Sequence, residues 1–151
     1  MPTPVRPIKT FIAAGLLIAA GWLHGADLIT ESEARLPGAQ RNEPVTRAIT
    51  RGPGINLLSP PAGSPTVQSP FDLRLEFVQR GEVRVDPESV KVSYDKNPPV
   101  NLIERVRVGV SATGIVLTGA QVPAGRHTLI VSVADIEGRS TTRSFELIVA
   151  K

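Results

Sequence analysis

From Ile55 to the C-terminus, the chain consists of short runs in which apolar and polar residues alternate. In residues 71–77, phenylalanines and leucines occupy the odd positions and charged residues occupy the even ones. Successive side chains of a β-strand point to opposite faces, so this pattern predicts a strand that buries one face. The same two-residue period returns at residues 90–94, 127–133 and 145–149. It indicates antiparallel sheets, because their strands commonly have one buried face and one solvated face.

Turn-forming residues separate these runs and set the number of strands. Residues 135–138 predict a hairpin turn, and Val83 and Val85 predict a short edge piece before the following proline. Counting all runs gives seven or eight strands in about 97 residues, the size of an immunoglobulin-like (Ig-like) sandwich. The 14 prolines and 13 glycines also suit strands joined by turns. We therefore predict an all-β, seven- to eight-stranded, Ig-like antiparallel sandwich over residues 55–151.

The alternation also predicts which side chains point inward. Within residues 100–110, one face of an imperfect strand should carry Val106, Val108 and Val110. Three of the aromatic residues fall on inward faces, namely Phe71, Phe77 and Phe145. Tyr94 is then the one aromatic side chain of the sandwich available to stack against a sugar.

Three stretches resemble the bacterial Ig-like and fibronectin-III-like modules, namely residues 86–90 (DPESV), 122–129 (VPAGRHTL) and 134–139 (ADIEGR). Val122 stands where these modules usually have leucine. The resemblance extends over residues 55–150 and implies the sandwich fold. Such modules serve as spacers, adhesins, sugar binders and subunits, so the resemblance implies no single activity.

His127 occupies the position where such modules often have the tyrosine of a tyrosine corner. We expect a structural histidine, with its ring at the sheet edge and one nitrogen bonded to nearby backbone. The periplasmic copper-carrier family is similar in its sandwich opening, here residues 59–63, and its members use an N-terminal His and an Asp-x-His near the last hairpin. The corresponding residues 134–139 contain no histidine, so we predict no metal site.

The residues needed for most enzyme chemistry are missing from the sequence. The chain has no cysteine, which excludes thiolate nucleophiles and iron–sulfur clusters. Its net charge is +3, and two of the cations, Arg6 and Lys9, lie at the extreme N-terminus, so we expect no nucleic-acid partner. No Gly-x-Ser-x-Gly motif or phosphate-binding glycine loop is present. We predict a non-enzymatic protein without catalytic residues, cofactor or metal.

Residues 1–36 have the layout of an export signal, because the basic N-terminus precedes an uncharged apolar run at residues 11–23. Two outcomes remain open. Cleavage after Ala26 would place His24 where a small residue is preferred. Alternatively, an uncleaved anchor helix spans the inner membrane from about residue 7 to residue 29, with Trp22 near the outer interface, and continues through residues 30–36. We favour the anchor.

Residues 37–54 show no period and contain three prolines and three glycines, which predicts an extended linker. Its spaced cations, Arg41, Arg47 and Arg51, are candidate contacts to a partner or to lipid, together with Trp22. The leading hypothesis is an accessory or scaffold subunit, held at the periplasmic side of the inner membrane, in a larger complex such as a respiratory or photosynthetic one. The alternative is a cleaved, soluble periplasmic binding module for a sugar, peptide or metal.

Overall fold

A computed structural model of the protein describes residues 27–39, 51–61 and 66–151. Their strands, in chain order, are β1 Gly54–Ser59, β2 Phe71–Val78, β3 Val85–Tyr94, β4 Val100–Asn101, β5 Val110–Ser111, β6 Gly114–Ala120, β7 Gly125–Asp135 and β8 Ser140–Val149. The first sheet has the order β1-β2-β6-β5 and the second sheet has the order β4-β3-β7-β8. All pairings between these strands are antiparallel. The predicted all-β, antiparallel architecture is confirmed.

The hydrophobic core lies between the two sheets. Leu73, Leu75 and Phe77 of β2 are buried, whereas the residues between them are exposed. From the second sheet, Leu129 and Val131 of β7 enter the same core. The two-residue period predicted both faces correctly because each strand has one face toward the core and one toward solvent.

The prediction for residues 100–110 is wrong. After the short β4, the chain forms helix α2 at Ile103–Val106, a 3-10 turn at Arg107–Gly109, and then β5. Val106 is fully buried, whereas Val108 is 91% exposed. At the start of helix α2, the Asn101 side-chain oxygen accepts a hydrogen bond from the backbone N–H of Ile103 at 2.9 Å. This segment carries the chain from the second sheet to the first.

Two further expectations are also corrected. Tyr94 is buried between the sheets, so it is not available to stack against a ligand. Val85 does not form a separate edge piece. It begins the ten-residue β3, which continues through Pro87, and an irregular pairing with β7 between Asp86 and Lys91 accommodates the proline.

Residues 27–38, which we call the N-terminal strap, are part of the folded unit. Leu28 and Ile29 are buried in the core. Thr30 has extended backbone angles and caps a one-turn helix, α1, at Glu31–Ala34. The predicted helix that continues from the hydrophobic run through residues 30–36 is therefore wrong for residues 27–30. Residues 11–23 lie outside the described part of the chain, and within that part no helix is long and apolar enough to cross a membrane.

Candidate functional site

The N-terminal strap lies beside β6 where its neighbour β5 has ended. β5 pairs with β6 at Gly114 and Ile115. Farther along, the carbonyl oxygen of Gln121 accepts hydrogen bonds from the backbone N–H groups of Leu28 and Ile29 at 2.9 and 3.3 Å. The strap thus provides hydrogen-bond partners for the backbone beyond the end of β5. The side chains of Leu28 and Ile29 cover the core on that side.

A bidentate ion pair between Arg105 and Glu33 holds the strap against helix α2. Arg105 donates to the two carboxylate oxygens of Glu33 at 2.7 and 2.8 Å, and its guanidinium also donates to the carbonyl oxygen of Leu28 at 2.9 Å. Glu33 additionally accepts from the backbone N–H of Thr30 at 2.9 Å, which completes a capping box. The hydrogen bonds from Arg105 lower the pKa of Glu33 to about 2.

Lys96 binds the C-terminal end of the strap through hydrogen bonds. Its ammonium group donates to the carbonyl oxygens of Ala34 and Leu36 at 2.8 and 2.9 Å. The backbone N–H of Asn97 donates to the carbonyl oxygen of Pro37 at 3.0 Å. The same ammonium group lies 5.1 Å from the centre of the Tyr94 ring, so a cation–π contact joins the strap to the core.

Replacing Glu33 with Gln should destabilise the protein by about 1–2 kcal/mol at neutral pH, because it removes a charge-assisted pair from a partly buried position. Because the pKa of Glu33 is lowered, the stabilisation by the ionised carboxylate is complete above pH 4.5, the ordinary glutamate pKa. It is lost as the pH falls toward about 2. Urea denaturation at pH 7 and pH 3 should therefore show a smaller difference between variant and wild type at the lower pH. Glu31→Gln is the matched control, because Glu31 is 72% exposed and its contact with Arg35 is 3.8 Å long. An effect of the Glu31 variant equal to that of the Glu33 variant would contradict the assignment.

The backbone hydrogen bond predicted for His127 is confirmed, but the ring is buried on β7, an inner strand of the second sheet, and does not lie at the sheet edge. Its Nε2–H group donates to the carbonyl oxygen of Pro123 at 2.8 Å, and Nδ1 accepts from the Tyr94 hydroxyl at 2.8 Å. Both ring nitrogens are occupied, and burial lowers the pKa of His127, so the neutral ring is favoured. Sequence reasoning found the backbone partner, which is four residues away, but missed Tyr94.

The outer face of the first sheet carries a row of exposed side chains that we call the apolar row, namely Leu58, Arg74 and Val116. Leu58 is the bulged residue beside Arg74, and Arg74 pairs with Val116 on β6. Gly109 packs against the backbone of Val116, and its neighbour Val108 is exposed. Leu58 is 55% exposed and Val116 is 51% exposed. The alternation of the sequence placed Arg74 outward but did not identify the row.

Of the other predicted contact residues, Arg51 lies in the described part of the chain, and it is not part of this row. Arg51 is exposed and precedes Gly52, which packs against the backbone of Ser140 at the start of β8. Arg41, Arg47 and Trp22 lie outside the described residues, and their proposed contacts stay predictions.

Residues 27–39, 51–61 and 66–151 contain no group of three or more metal-ligating side chains. A cleft of about 230 Å³ between β3 and β5 is lined in part by Glu88, Val90, Ile103 and Arg107. Arg107 is paired with Glu104 at 2.8 Å, and both side chains are exposed.

The stretches that resemble Ig-like modules occupy three separate places in the fold. Residues 86–90 form the irregular part of β3, residues 122–129 join β6 to β7, and residues 134–139 form the β7–β8 hairpin. No known protein family matches the chain, and no curated protein matches its sequence.

Proposed function

We propose that this chain is a non-enzymatic, Ig-like accessory or scaffold subunit, with its sandwich in the periplasm, anchored in the inner membrane by a helix that begins at about residue 7 and includes the hydrophobic run at residues 11–23. We further propose that it contacts a partner subunit of a larger membrane complex through the outer face of the first sheet. The observation that carries this proposal is the apolar row, in which Leu58 and Val116 are exposed on either side of Arg74 on the outer face of the first sheet.

The composition of the row favours a protein partner. Arg74 lies between Leu58 and Val116 and is 54% exposed, with Asp72 at 3.5 Å. Arginine flanked by apolar side chains is typical of the centre of a protein–protein interface, where the guanidinium donates to carbonyl or carboxylate oxygens. Glu76, which accepts a hydrogen bond from Asn56, provides a polar rim. The expected partner presents two apolar side chains around a carboxylate or a free carbonyl group.

The anchoring part of the proposal rests on the sequence. Basic residues precede the apolar run, and this order supports a periplasmic position for the following domain. The spaced cations Arg41, Arg47 and Arg51 then provide further contacts to the partner, and Trp22 provides a contact at the bilayer surface. A respiratory or photosynthetic complex is a suitable host for such a subunit.

One observation favours the second candidate, a soluble periplasmic binding module. Cleavage after Ala26 would leave Asp27 as the first residue, and the whole N-terminal strap, which begins there, would stay attached to the sandwich. Intact-mass spectrometry of the protein purified from its native membrane separates the two candidates. A mature chain that begins at Asp27 would exclude the anchor.

Site-specific photo-crosslinking tests the interface. A photoreactive amino acid at Thr118, an exposed residue on the outer face of the first sheet, should crosslink to one membrane protein. The double variant Leu58→Ser/Val116→Ser should abolish this crosslink and should change the free energy of unfolding by less than about 1 kcal/mol, because exposed side chains contribute little to stability. The crosslinked protein, once identified by mass spectrometry, should bind purified wild type but not the double variant.

Ile136 provides the matched control, because it is 61% exposed but lies in the β7–β8 hairpin, away from the apolar row. Ile136→Ser should retain the crosslink at Thr118. Equal crosslinking in all three proteins would contradict the proposed interface. A crosslink between two copies of this chain, with dimers in light scattering, would assign the face to self-association instead.

A further inference from the structure

The two ends of the sandwich differ in the connections that they carry. At one end, which we call the Asp27 end, the uncharged connections at residues 66–70 and 121–124 lie beside the charged residues Asp27 and Glu31. The opposite end, which we call the hairpin end, carries Arg80, Glu82 and Arg84 in the β2–β3 connection, and Glu137 and Arg139 in the β7–β8 hairpin.

Strand pairing defines which connections share an end. Phe71, the first residue of β2, pairs with Ala120, the last residue of β6, so the connections before β2 and after β6 lie together. Asp27 joins them through its bridge to Gln121. Val85, the first residue of β3, pairs with Asp135, the last residue of β7, which places the β2–β3 connection beside the hairpin.

The hydrophobic run ends close to the Asp27 end. It stops at residue 23, and three residues separate it from Asp27. Because a chain extends at most about 3.6 Å per residue, these residues allow a separation of no more than about 14 Å. The strap adds no length to this tether, since Leu28 and Ile29 are fixed in the core. The hairpin end lies about 33 Å away, the length of the eleven-residue β7.

From these observations we infer that the Asp27 end of the sandwich faces the phospholipid surface, while the hairpin end points away from it. This inference rests on the proposed membrane anchor. The short tether holds the Asp27 end close to the bilayer, whereas the hairpin end lies farther away by the length of β7. The same orientation places Arg51, whose neighbour Gly52 packs against Ser140 at the hairpin end, far from lipid, so Arg51 is a candidate contact to the partner rather than to headgroups.

The absence of cysteine from the chain permits a direct test with single-cysteine variants. Ala124→Cys marks the Asp27 end and Ile136→Cys marks the hairpin end, and both positions are exposed. The full-length chain, labelled with a fluorophore, is reconstituted in phosphatidylethanolamine–phosphatidylglycerol vesicles whose headgroups carry a nitroxide quencher. Quenching at position 124 should exceed quenching at position 136 by at least about threefold, because the two positions differ in distance from the bilayer by roughly the length of β7. A soluble quencher should reach both labels equally in detergent.

Equal quenching at both positions, in a chain that floats with the vesicles, would overturn the orientation but leave the anchor intact. A chain that does not float with vesicles would contradict both the anchor and the orientation. A flexible Gly-Ser segment of about 20 residues, inserted between Ala26 and Asp27, should reduce quenching at position 124 toward that at position 136, because the longer tether releases the domain. Unchanged quenching after the insertion would show that the short tether does not set the orientation.

Discussion

Leu28→Ala should lower the free energy of unfolding by about 2–5 kcal/mol, the usual cost of removing a buried leucine side chain. Leu28 is fully buried although it follows the hydrophobic run by only a few residues. Its side chain helps to close the core beside β6, and α2 contacts its backbone through Arg105. The variant loses the transfer free energy of the side chain and leaves a cavity that neighbouring residues fill only in part. Urea denaturation of the purified protein, followed by circular dichroism, measures the change.

Leu58→Ala is the matched control, because it removes the same atoms from an exposed position. It should change the free energy of unfolding by no more than about 0.5 kcal/mol. If Leu28→Ala were as mild as Leu58→Ala, the strap would not belong to the folded unit. The assignment of residues 27–38 to the sandwich would then be wrong.

Gly114→Ala should destabilise the protein by about 3–5 kcal/mol, through the combined costs of a clash and of a strained backbone. A methyl group at this position would lie 2.0 Å from the carbonyl oxygen of Leu75, and the residue has a φ of +155°. The clash involves backbone on the neighbouring strand, and Gly114 pairs there with Glu76. Relief therefore requires β2 and β6 to move apart, which would weaken the centre of the first sheet.

Gly38→Ala provides the comparison, because no atom lies within 4 Å of the added methyl group. Its thermal unfolding midpoint should match that of the wild type within the error of calorimetry. A Gly114 variant with an unchanged midpoint would show that β2 and β6 do not approach as closely as described.

The candidate contact surface was predictable only in part. The two-residue period placed Arg74 on the outer face correctly, because the direction of a side chain in a strand follows from its position in the alternation. The sequence did not reveal the apolar row as a whole, because its members come from β1, β2 and β6. Only strand pairing brings residues of such different sequence position to one surface. A single exposed valine or leucine is common on proteins and gives no signal by itself.

The sequence by itself determined the all-β class, most strands, their buried faces and a hydrogen bond from His127 to nearby backbone. These features follow from patterns that are local in the chain, namely the two-residue alternation and the turn residues. Only the tertiary structure decided that Leu28 belongs to the core, and that Glu33 pairs with Arg105. The latter two residues are 72 positions apart. No local period records such a pairing, because the free energy that orders the strap comes from surfaces that exist only after both sheets have formed.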